Sequence, residues 1–137
     1  MRRRALILST LALLSPSPAL ALGNDSSDPP KPIYLELDRI VVSVFKGGEV
    51  VNLVMLALKL ELADDGAITP VVEKMPRLRD AFIREWNALA ARPDAADRGL
   101  DIEAGKRRML VACDRVLGPG AVKSVLIQGV SQRKPPR

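Results

Sequence analysis

The chain has 137 residues, 47% of them hydrophobic, which suits one domain with its own core and excludes wholesale disorder. It has no histidine and one cysteine, Cys113, so the Ser-His-Asp and Cys-His catalytic arrangements and an intramolecular disulfide are excluded. The formal charge of +5 falls to +2 when Arg2, Arg3 and Arg4 are set aside, and outside the first 21 residues Tyr34, Phe45, Phe82 and Trp86 are the only aromatics, so no nucleic-acid surface is expected.

The chain opens on Arg2-Arg3-Arg4, followed by an apolar run over residues 5–14 that only Ser9 and Thr10 interrupt. Pro16 and Pro18 stop it, and Ala19-Leu20-Ala21 fits a small-x-small cleavage site. This pattern predicts a cleavable secretory signal peptide over residues 1–21, and hence export. A retained membrane anchor is the alternative, although the apolar run is about half the roughly 20 residues needed to cross the hydrocarbon core. Residues 22–32 are polar and proline-rich, a disordered linker by composition.

Ile33, Leu35 and Leu37 alternate with Tyr34, Glu36 and Asp38, the period of a half-buried strand. The β-branched run over residues 40–45 continues it out of phase, so a bulge is expected near Asp38-Arg39. Gly47-Gly48 predicts a hairpin turn into a second strand over residues 50–62, closed by Asp64-Asp65-Gly66.

Thr69-Pro70 reads as the N-cap and first position of a helix. Val71, Met75, Leu78, Phe82, Trp86 and Leu89 step at helical spacing, and at Pro76 the helix either kinks or begins. Glu73 with Arg77, and Asp80 with Arg84, are i,i+4 pairs on the polar side. Residues 92–100 read as a loop. Asp101 is positioned to cap a second helix over residues 102–117, whose apolar face is Met109, Leu110, Cys113, Val116 and Leu117, and Gly118-Pro119-Gly120 stops it. On that face Cys113 is expected to pack in the core. A last strand spans residues 121–131, and the basic tail is expected to be loose. The expected organisation is an α+β domain over residues 33–132, with a long antiparallel hairpin, two helices and a C-terminal strand joining the sheet, followed by a tail over 133–137.

No catalytic constellation, metal-ligand spacing or phosphate loop is present, so no cofactor or metal is expected and the chain reads as a non-enzyme. An enzyme would need carboxylates brought together by folding. Lys106-Arg107-Arg108 reads either as a solvated face or as a contact for an acidic partner or lipid headgroup, which keeps membrane association open.

The layout resembles the FliL family of bacterial flagellar basal-body-associated proteins over residues 33–132. Residues 34–62 look like the family's opening hairpin. Met75-Pro76-Arg77-Leu78-Arg79-Asp80-Ala81-Phe82-Ile83 is similar to its Pro-x-Ile-x-Asp-x-Ile-Ile segment, and Glu103-Ala104-Gly105-Lys106-Arg107-Arg108-Met109-Leu110 to its Glu-Gly-Lys-x-x-Leu segment. Val122 and Val125 fall where its closing Val-x-x-Val-x-Phe-x-x-Phe motif has valines. The chain departs from the family at Ser43-Val44, where Asn-Leu is usual, and at Ile127 and Val130, where phenylalanines are usual. A cleavable signal also stands in place of the family's inner-membrane helix.

The resemblance implies a stomatin/prohibitin-like two-layer domain in the periplasm, homo-oligomeric and ring-forming, that binds the flagellar stator or other basal-body proteins and supports motility. It makes Arg77, Arg79, Asp80 and Arg84 candidate subunit or stator contacts, although each reads equally as a solvated helix charge. The alternative is a soluble periplasmic binding protein that carries a small apolar ligand or lipid between the aliphatic-rich sheet and the helices.

Overall fold

The structure, a computed structural model, describes residues 28–136. The signal-peptide reading of residues 1–21 therefore lies outside the described residues, as does the first part of the linker.

The elements are β1 (Ile33–Glu36), β2 (Ile40–Lys46), β3 (Glu49–Leu62), α1 (Ile68–Glu73), α2 (Met75–Ala90), α3 (Ala95–Arg98), α4 (Ile102–Leu117) and β4 (Val122–Arg133). They build the expected α+β architecture, an antiparallel sheet carrying helices on one face. Strand β3 runs down the middle; β1 and β2 follow one another along one of its edges and β4 takes the other. Glu36 stands opposite Lys59 and Ile40 opposite Leu56, so residues 37–39 face only 57 and 58. That is the bulge expected at Asp38-Arg39, and the Leu37 N–H crosses it to the Leu58 carbonyl at 3.0 Å. Gly47 and Gly48, at φ 61° and 83°, make the tight turn between β2 and β3.

On β3 the buried side chains are Val54, Leu56, Leu58, Leu60 and Leu62, a strict period of two that turns one face of the sheet to the helices. Helix α2 packs over β2 and α4 over β4. Between them Leu78, Phe82, Trp86 and Met109 are wholly buried. Gly105 lets the helices close: its backbone lies against the Trp86 ring, whose Nε1 donates to Met109 Sδ at 3.2 Å. Cys113 is in the core as expected.

Four local expectations need correction. Thr69 does not cap the first helix. The Asp64 carboxylate accepts from the Ala67 N–H at 3.1 Å and caps a short 3-10 turn, Asp65–Ala67, which runs directly into α1 and leaves Thr69 inside the first helical turn. The chain then breaks at Lys74, α2 begins at Met75, and Pro76 sits in its first turn, where a missing N–H costs nothing. With Lys74 out of helical geometry, Glu73 and Arg77 do not pair, whereas Asp80 and Arg84 do, at 2.8 Å. The loop over 92–100 contains α3, and β4 continues to Arg133, opposite Leu53, because β3 is long enough to template it. Helix α4 has the expected limits, with Asp101 accepting from the Ala104 N–H at 2.9 Å. Among the described residues no helix is long and apolar enough to cross a membrane.

Candidate functional site

No polar or charged residue is buried among the described residues. Burial, and secondarily the Asp114 carboxylate, push the Cys113 thiol up to about 12, which keeps it neutral and unreactive. Among the described residues no group of three His, Cys, Asp or Glu could hold a metal ion.

The four contact candidates divide between the two sides of α2. Arg79 turns toward the sheet, where its guanidinium donates to the Asp38 carboxylate at 3.0 Å beside the bulge. Arg77, Asp80 and Arg84, spaced three and four residues apart, share the side facing α4. There they border a groove of about 300 Å3 with Ala81, Ala112, Val116 and Arg115. Arg115 also belongs to a second shallow groove of about 220 Å3, with Glu85, Arg107, Arg108 and Val111, so the two form one furrow along the helix pair.

Sequence reasoning missed Arg115. A signal was available: Arg108, Val111 and Arg115 step by three and four along α4, opposite its buried face, and Val111 is left 55% exposed.

The furrow carries five arginines, Arg77, Arg84, Arg107, Arg108 and Arg115, against two carboxylates, Asp80 and Glu85. The helices run antiparallel, so Arg77 and Arg115 border the same groove, and further along Glu85 of α2 reaches Arg108 of α4. Asp80 pairs with Arg84 at 2.8 Å and Glu85 with Arg108 at 3.5 Å. The two carboxylates thus pair with Arg84 and Arg108, while Arg77, Arg107 and Arg115 form no ion pair among the described residues. Guanidinium forks stay charged at every working pH and match carboxylate or phosphate oxygens bidentately, so the arrangement is one for binding anions.

Elsewhere, Leu37, Val72, Met75 and Pro76 line a depression of about 470 Å3 that is open to solvent and rimmed by Glu36, Asp38 and Arg79. The face of the sheet away from the helices is uncovered by any described element; there Lys59 Nζ sits 4.6 Å above the Tyr34 ring and Val41 is exposed. The outer edges of β2 and β4 have no strand partner among the described residues. A scan of the chain against protein-family models found no match, and neither did a search of curated proteins.

Proposed function

We propose that the chain is a non-enzymatic periplasmic accessory protein of the flagellar basal body, acting by contact with the motor stator or as a ring around it, in the manner of the FliL family. One observation carries this reading: the two helical segments that resemble the family's motifs are the two helices that pack together as α2 and α4, and their outward surfaces form an arginine-rich furrow over an interior with no buried polar side chain. Such a molecule offers surfaces rather than a reaction chamber. The two unpaired sheet edges are compatible with head-to-tail self-association, which closes into rings when the rotation allows.

The apolar-carrier reading has less support. Sites for small ligands enclose most of the ligand's surface, whereas the depression beside Leu37 and Met75 is open.

The test is deletion of the gene, with swimming scored in soft agar and filaments counted by electron microscopy. Impaired swimming by cells that still build filaments is the expected result; normal swimming would refute the motor assignment. N-terminal sequencing of the exported protein should read from Leu22, and recovery with Met1 in the membrane fraction would overturn release into the periplasm.

A further inference from the structure

We propose that the α2–α4 groove docks a short acidic segment of a partner protein, with its carboxylates on Arg77 and Arg115 and an apolar side chain on the floor of Ala81, Ala112 and Val116. The idea deepens the contact reading above and rests on it only for the partner being a protein.

Charge complementarity fixes the class of occupant. Within the furrow Asp80 is committed to Arg84 and Glu85 to Arg108, which leaves Arg77, Arg107 and Arg115 without an ion pair among the described residues, and of these Arg77 and Arg115 border the groove with the apolar floor. Two guanidinium groups facing one another repel, and an anion placed between them turns that repulsion into two attractions. At about 300 Å3 and open to solvent, the groove has room for a side chain or two of an extended segment rather than for a folded domain.

A peptide fits better than an anionic bilayer for two reasons. The floor is concave and apolar, which a flat headgroup layer would not fill. A bilayer would also bring its phosphates against Asp80 and Glu85 along with the arginines, whereas a peptide can place carboxylates only where the arginines are.

The experiment uses the purified full chain and three probes: a short fluorescein-labelled peptide of alternating glutamate and leucine, its lysine counterpart, and phosphatidylglycerol vesicles. Fluorescence anisotropy reads the peptides and co-sedimentation reads the vesicles. The glutamate peptide should bind in a salt-sensitive manner and the lysine peptide should not. R77E/R115E should weaken binding about tenfold or more, corresponding to about 1.4 kcal/mol. R133E/K134E, which changes the net charge equally on the sheet side, should leave it unaltered. R77Q/R115Q gives the same reading with a smaller loss should the reversed charges disturb folding, which circular dichroism checks.

No binding of the glutamate peptide, or equal binding by the wild type and R77E/R115E, would overturn the proposal. So would vesicle binding that R77E/R115E abolishes without any peptide binding, which would make the furrow a membrane contact. The assay needs no motor, so its failure leaves the swimming phenotype standing, and a null swimming phenotype leaves the groove measurement standing.

Discussion

Gly105 offers the sharpest test of how α2 and α4 fit together. Gly105 is the fourth residue of α4, where replacing glycine with alanine normally stabilises a helix by up to about 1 kcal/mol. Here the added methyl would lie 2.5 Å from Cζ2 and 2.6 Å from Cζ3 of Trp86, and closer still to Cη2. Those are indole ring atoms with nowhere to go: Trp86 is 0% exposed and its indole N–H is held by Met109. Forcing an extra methyl into a filled core costs about 1–3 kcal/mol or more, which outweighs the propensity gain. For a domain of this size the net loss should lower the melting temperature by about 4–8 °C per kcal/mol, read by far-ultraviolet circular dichroism. The cause is tested by a cycle with Trp86→Phe, which removes the ring atoms in conflict. In that background Gly105→Ala should become neutral or stabilising, a coupling of about 1 kcal/mol or more between touching residues. A Gly105→Ala protein that melts at or above the wild-type temperature would refute the close approach of the two helices.

The other predictions concern caps and titration. Asp64→Ala should cost about 1 kcal/mol in urea unfolding, while Thr69→Ala should cost well under half of that, because the carboxylate and not the hydroxyl holds the entry to α1. Asp101→Ala should cost a similar 0.5–2 kcal/mol, roughly, by freeing the Ala104 N–H. Cys113 should resist thiol reagents at mildly alkaline pH in the native state and react fully in guanidinium. Its thiol rises from 9.0 to about 12 on folding, so only the unfolded chain ionises in that window. Its contribution is therefore intact below pH 9.0 and is lost between 9.0 and about 12, with a limiting slope of about 1.4 kcal/mol per pH unit. Cys113→Ala should flatten that alkaline limb, and an unchanged limb would place the thiol in contact with water.

Much of the fold was legible because local chemistry and global packing agree. The slip between Leu37 and Ile40 announced the bulge, paired glycines announced the hairpin, and Asp101 with Gly118 bracketed α4. Where reading failed, the deciding interaction was one that a sequence pattern does not encode. Thr69-Pro70 is a sound helix start in isolation, but Asp64 captures the Ala67 N–H first and moves the start upstream. Helix α3 is too short to display a period, and the reach of β4 to Arg133 depends on the length of its neighbour β3. At the candidate site, helical spacing gives the Asp80–Arg84 pair on the polar side of α2, whereas Arg77, Arg79, Asp80 and Arg84 come together as candidates only through the family resemblance. Arg79, two residues from Arg77, belongs to the opposite side of the helix and to Asp38. Arg115 was hidden because only the antiparallel packing of α4 brings it to Arg77.

That packing also separates what holds the domain together from what it presents. The contacts that fix α4 on α2, Trp86 against Gly105 and Met109, lie beneath the furrow and contain no charge. The arginines above them gain little from the fold: Arg84 has an exposed partner of the kind worth about 0–1 kcal/mol, Arg108 a half-buried one at 3.5 Å, and Arg77 no ion pair among the described residues. Helices packed for stability alone would have no use for unmatched guanidinium groups across their seam. The rigid apolar layer instead sets the width of the furrow and the register of the two helices, and so fixes the backbone positions from which Arg77 and Arg115 project. If the groove binds an acidic segment as proposed, the fixed backbone limits the ordering cost to the arginine side chains themselves.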